Sequence, residues 1–98
     1  MIIISQAKET ILNFKNVQEI RIEEYGTHVK GKKIYKIFSG NFEGYATLLG
    51  TYETKERAKE VLQEIIKAYI ENKKGQETNS IFGYSIIPSN TYYEMPEK

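Results

Sequence analysis

From Thr54 onward the apolar residues Ala58, Val61, Leu62, Ile65, Ile66 and Tyr69 recur at the i, i+3, i+4, i+7 spacing of one helix face. Thr54 has the side chain of a good N-cap. Glu53 and Glu56 stand at the positive end of the helix dipole, Lys73 and Lys74 at the negative end, and Gly75 offers a stop. The spacing predicts one long amphipathic helix over about residues 54–73, roughly 30 Å in length. A helix with one apolar stripe must bury it against something, and the rest of the chain supplies strands.

Short β-branched and aromatic runs occupy residues 2–4, 10–14, 17–25, 33–39 and 45–52, separated by Gly/Asn-rich turns such as Gly26–Gly31 and Gly40–Gly44. Short connections favour an antiparallel meander. Residues 75–80 read as a polar linker, Ile81–Ile87 as a further strand, and Thr91–Met95 as a short edge strand closed by Pro96. The expected fold is therefore α+β. A curved antiparallel sheet of five or more strands, of the kind found in a pleckstrin-homology half barrel, is covered by the helix and followed by a short C-terminal β segment. The 98 residues (1–98) are expected to form one domain.

Several strands carry apolar residues at both parities: Ile2, Ile3 and Ile4; Ile11 and Leu12; Ile34, Tyr35, Ile37 and Phe38; Leu48 and Leu49. A sheet with one wet face alternates. The helix covers one face, and three arrangements cover the other, the curl of the sheet, the C-terminal segment or a second copy of the chain; all three stay open here.

The charges nearly balance, with 14 Lys+Arg against 13 Asp+Glu and a net charge of +1. Such balance gives no general pull toward nucleic acid or anionic lipid. Arg21 and Arg57 are the only arginines, and Arg is the preferred reader of phosphate and base edges. Weak nucleic-acid binding is thus the third reading, ahead only of an enzyme. There is no cysteine, hence no disulfide framework, thiolate ligand or thiol nucleophile. The apolar start Met1–Ile4 is shorter than a secretory core, and no run approaches the ~20 residues of a membrane span. The expected setting is the cytoplasm, with no membrane partner.

Few residues carry chemistry. His28 is the single histidine; it sits in a Lys-rich hairpin loop without a nucleophile or partner carboxylate fixed by sequence. One His with scattered Glu is a poor metal supply. The glycines near Gly50 match neither a dinucleotide fingerprint nor a P-loop. Glu60, Glu64, Lys67 and Glu71 lie on the solvated side of the helix. No catalytic residue, metal or cofactor is expected. Two candidate surfaces remain. Phe82, Tyr84, Tyr92 and Tyr93 form an aromatic C-terminal segment suited to anchoring a protein partner. Lys30, Lys32, Lys33, Tyr35 and Arg57 are the candidates for holding an anion or nucleotide.

The segments Met1–Gln6, Thr10–Val17, Leu49–Ile65 and Tyr93–Pro96 together resemble a group of short phage- and prophage-encoded proteins of low-GC Gram-positive bacteria. The resemblance leaves out about 26–44 and 75–90, and marks the latter as an insertion. It implies an accessory viral protein inside a bacterial host, acting on host or phage proteins or sequestering a host defence messenger, and it carries over no catalytic residue. The leading expectation is a non-enzymatic protein-interaction module, with a homo-oligomer as one form; the alternative is a binder of a nucleotide signal.

Overall fold

A computed structural model describes the backbone of residues 1–82 and 92–98, and the side chains of residues 1–71 and 92–98. In chain order the elements are β1 (Ile2–Ile4), β2 (Ile11–Asn13), a 3-10 turn (Phe14–Asn16), β3 (Glu19–Gly26), β4 (Lys33–Gly40), β5 (Ala46–Tyr52), α1 (Lys55–Phe82) and β6 (Tyr92–Glu94).

The fold is α+β, with the strands divided between two sheets. The expectation of five or more strands in one sheet is corrected by this division. The first sheet has order β2-β1-β6 and the second β3-β4-β5. The second is the expected meander: β3 and β4 pair antiparallel from Glu19↔Gly40 to Gly26↔Lys33, and β4 pairs antiparallel with β5. In the first sheet β1 pairs antiparallel with β2 and parallel with β6. β6 is the short C-terminal edge strand expected from Thr91–Met95. Of the expected strand Ile81–Ile87, Ile81 and Phe82 belong to α1, and the rest lies outside the described residues. Gly75, expected as the helix stop, falls within the span of α1.

The helix starts where its cap is. The Thr54 side chain accepts from the Arg57 backbone N–H at 3.1 Å, and Thr54 O accepts the first intrahelical bond, from Ala58 N at 3.1 Å. Its buried stripe is Ala58, Val61 and Ile65, which meets Ile37, Leu49 and Tyr52 of the second sheet, Ile3 of the first and Met95 just after β6 in a single core. Ile66, one residue beyond Ile65, lies about 100° further round the helix and is exposed, as is Ile70. The apolar arc of the helix is thus wider than the sheets that cover it. Tyr69 stacks on Phe14 with ring centroids 4.6 Å apart.

Gln6 joins the two sheets. Its backbone N–H donates to Leu49 O at 2.7 Å. Its side-chain Oε1 accepts from Thr51 N at 2.8 Å, while Nε2 donates to Thr51 O at 3.0 Å, Glu97 O at 2.9 Å and Pro96 O at 3.2 Å. The carboxamide thus does for Thr51 what a neighbouring strand's peptide group would do. The chain leaves the first sheet at Ile4 and reaches the edge of the second at Gln6, so the two sheets meet at a seam.

A β-bulge resolves one of the double-parity pairs. Ile37 opposes Gly50 and Phe38 opposes Leu48, which leaves Leu49 as the extra residue. Leu49 is buried in the core while Leu48 is exposed.

Candidate functional site

Direct cross-strand partners share a sheet face. In the first sheet Ile3 lies opposite Leu12 and Tyr93; this row faces the core, with Ile3 fully buried and the other two packed against the cluster. The other face is a two-row grid: Asn13, Ile2 and Tyr92 in one row, Ile11, Ile4 and Glu94 in the next. Ile11 is 67% exposed, Tyr92 55% and Ile2 40%. The Glu94 carboxylate at its rim pairs with Lys8 at 3.0 Å; that contact, first as a hydrogen bond and then as a charge, holds the Lys8 ammonium above its ordinary pKa. An aliphatic and aromatic face with its rim charges paired is suited to contact with protein.

The expected aromatic segment splits accordingly. Tyr92 stands on this outer face. Tyr93 turns inward, half-buried, and its hydroxyl donates to Glu64 Oε1 at 3.3 Å; burial, then the Glu64 charge, pushes its pKa well up. Tyr93 is thus a packing residue and not a free anchor. Phe82 ends α1 with its side chain outside the described residues, and Tyr84 lies outside them altogether.

The five residues expected to hold an anion also divide. Lys32, Lys33 and Tyr35 line a depression of about 410 Å³ with Thr54 and Lys55 at the helix start. Lys33 Nζ and the Tyr35 hydroxyl both reach the Glu24 carboxylate, each at 3.2 Å. The Lys33 contact is the main cause that lowers the Glu24 pKa. Glu53 and Glu56 line the same depression, so its field is mixed. Lys30 is exposed at the β3–β4 loop with His28. Arg57 lies on a separate depression of about 530 Å³, lined also by Tyr52, Glu97 and Lys98. Its guanidinium donates to Lys98 O at 3.0 Å and to Glu60 and Glu64, both at 3.1 Å. With the Tyr93–Glu64 bond this forms a chain of contacts that fastens the C-terminal segment to the helix. Arg57 is committed to that role, and the five residues do not converge on one site.

Tyr52 shares this region. Its hydroxyl donates to Pro96 O at 2.8 Å, and burial pushes its pKa to about 12. Among the described residues no group of three or more acidic or histidine side chains is placed to hold a metal ion, and no helix is long and apolar enough to cross a membrane.

Sequence reasoning did not single out Ile2 and Ile11 as surface residues. The signal was present in the double-parity apolar pattern, which did not say which parity stays outside. No family model matches the chain, and no curated protein or solved structure gives a significant match.

Proposed function

We propose that this chain is a non-enzymatic phage accessory protein that works by binding, as a protein-interaction module whose first partner is a second copy of itself. The observation that carries this reading is the outer face of β2-β1-β6, where Ile2, Ile11 and Tyr92 are exposed side by side. An isologous contact brings a surface against itself, so net charge on it would repel. Here Lys8 and Glu94 neutralise each other at the rim, and apart from the uncharged Asn13 the remaining face is aliphatic and aromatic. The phage setting, and with it a bacterial cytoplasmic location, rests on the resemblance of Met1–Gln6, Thr10–Val17, Leu49–Ile65 and Tyr93–Pro96.

Sedimentation analysis over a concentration series tests it. The wild-type chain should form a dimer or higher species, and Ile11→Lys with Tyr92→Lys should sediment as a monomer that keeps the wild-type far-UV circular dichroism spectrum. A wild-type chain that stays monomeric at about 0.1 mM, where association is weaker than about 5.5 kcal/mol, refutes self-association. Specific capture of a host protein that the same double variant loses would transfer the face to that partner.

A second reading has one observation in its favour, the gathering of Lys32, Lys33, Tyr35 and Lys55 round one depression. It makes the chain a binder of a nucleotide signal. A nucleotide at a hundred times its dissociation constant adds about 2.7 kcal/mol, which raises the melting temperature of a domain this size by about 10–20 °C. A nucleotide panel that leaves the melting curve in place refutes this reading.

A further inference from the structure

The two long edges of the β3-β4-β5 sheet are protected differently. β3 carries Glu19, Arg21, Glu23 and Glu24 along its length, the charged side chains that keep an open edge from pairing with another chain. β5 runs Ala46–Tyr52 without a charge, and its protection is Gln6. That protection covers only half the strand. Gln6 meets Leu49 O and both backbone groups of Thr51. Toward the β4–β5 turn no other backbone group among the described residues pairs with the edge.

The direction of the bare groups follows from the ladder. Asn41 N donates to Tyr45 O at 3.0 Å, so Tyr45 points its carbonyl at β4. Antiparallel pairing alternates, so Thr47 also faces β4, while Ala46 and Leu48 turn their N–H and C=O groups away from it. Gly40, the partner of Ala46, confirms the phase by sending its own carbonyl outward to Gln18 N at 2.8 Å. Ala46 and Leu48 are both exposed. They open onto a groove of about 400 Å³ whose opposite wall is Ala7, Glu9 and Thr10.

We propose that this groove takes a single extended peptide segment, which adds as a strand to β5 at Ala46–Leu48 and continues the pairing that Gln6 begins. The occupant's chemistry follows from the walls. Glu9 is the charged residue of the groove lining, so the segment carries a Lys or Arg. Leu48 is 44% exposed beside the edge, so the neighbouring position on that face carries an aliphatic or β-branched side chain. Main-chain hydrogen bonds give the affinity and these two positions the selectivity. A second copy of the chain is the wrong size: three residues of edge, about 10 Å of strand, do not by themselves build the roughly 800 Å² per partner of a stable dimer, and the Ala7–Thr10 wall stands across a domain's approach. This site is separate from the outer face of β2-β1-β6 and does not rest on self-association there.

A random peptide display library selected against the full-length chain supplies the probe. Selected peptides should share an aliphatic–basic pattern without proline. Titrating the best peptide should shift the Ala46 and Leu48 amide resonances and slow their hydrogen exchange. Methylating one pairing backbone nitrogen of that peptide should weaken binding about tenfold, the effect of losing one backbone hydrogen bond. Ala46→Pro removes an outward N–H without touching the ladder to β4 and should weaken binding similarly at an unchanged melting temperature. The methylated peptides decide the matter if that variant fails to fold. No selected binder, a footprint on Ile2, Ile11 and Tyr92 instead, or indifference to methylation would each overturn the proposal. Protection of the Ala46 and Leu48 amides that rises with the concentration of the chain alone would overturn it in favour of a second copy.

Discussion

Replacing Gln6 with alanine tests whether one side chain holds the two sheets together. A carboxamide has two donor hydrogens and one acceptor oxygen. At Gln6 the oxygen faces the Thr51 N–H, and the nitrogen faces three carbonyls, those of Thr51, Pro96 and Glu97. The orientation is fixed by this arrangement, because the flipped amide would set its nitrogen against an N–H and its oxygen against three carbonyls. Two hydrogens serve three acceptors, so the side chain counts as about three full bonds. Each contributes about 1 kcal/mol net, less where water replaces it in a part-buried site. Gln6→Ala should therefore cost about 2–3 kcal/mol and lower the melting temperature by about 10–20 °C. Gln6→Glu keeps the acceptor and loses both donors, and at neutral pH it sets a charged carboxylate against three carbonyl oxygens. It should be at least as damaging as alanine, although it is the closer match in shape. Circular dichroism melting gives the size of the loss. Hydrogen exchange at the Thr51 amide gives its place. A Gln6→Ala chain that melts within about 3 °C of wild type, or a Gln6→Glu chain more stable than the alanine variant, would refute the assignment of the seam to this side chain.

Other perturbations have equally definite outcomes. Ile37 is fully buried between the sheet and α1, so Ile37→Ala should cost about 2–5 kcal/mol in chemical denaturation. At Gly50 an added Cβ would stand 2.9 Å from both Cε2 and the hydroxyl of Tyr52, whose ring is buried and tied to Pro96 O; Gly50→Ala should cost about 1–3 kcal/mol in the same assay. Thr54→Ala should cost about 1 kcal/mol through the lost helix cap. Tyr52 titrates at about 12 in the folded chain and near 10 when unfolded. A raised folded pKa means its contribution is complete below about pH 10 and is lost as the pH climbs toward 12, so stability should fall over that window. Tyr52→Phe should flatten the fall, as read by melting at successive pH values.

The helix and the second sheet were legible because their signals are local. The Thr54 cap and the Ala58, Val61, Ile65 stripe lie within three turns of chain, and the β3-β4-β5 hairpins are set by the Gly-containing turns between them. The first sheet was not legible in the same way. Its parallel pairing brings Ile2–Ile4 against Tyr92–Glu94 across nearly the whole chain, and three-residue strands have too few side chains to specify a partner by pattern. Nothing in Ser5–Lys8 indicates that the Gln6 amide finds Thr51 and the C-terminal carbonyls. Leu48–Leu49 looked like a strand buried on both faces, and a bulge gives the same text with one residue in and one out. The anion-site grouping failed for a related reason. Lys30, Lys32, Lys33, Tyr35 and Arg57 are all cationic or aromatic, but the Glu24 carboxylate across the hairpin and Glu60 and Glu64 along the helix claim Lys33, Tyr35 and Arg57 first.

Division of the strands into two sheets has a consequence for binding that one continuous curved sheet would not have. A half barrel of six strands would curl its second face inward and keep few edges. Here α1 packs against the joint core, and each sheet keeps an outer face of its own. The second sheet fills its outer face with charge and ring contacts, Arg21 over Phe38 and Lys36 over Tyr25, with Glu19 and Glu23 on Arg21. Among the described residues the first sheet has the Lys8–Glu94 pair at one rim and leaves Ile2, Ile11 and Tyr92 exposed. The division also forms the seam, where Gln6 closes half of the β5 edge and leaves Ala46 and Leu48 open. Both proposed contacts therefore arise from one structural event, the departure of the chain from the first sheet at Ile4, yet they use different chemistry: side-chain burial on the face, main-chain pairing at the edge. Charge on the face, as in Ile11→Lys, should abolish the first and leave the second, and proline at Ala46 should do the reverse.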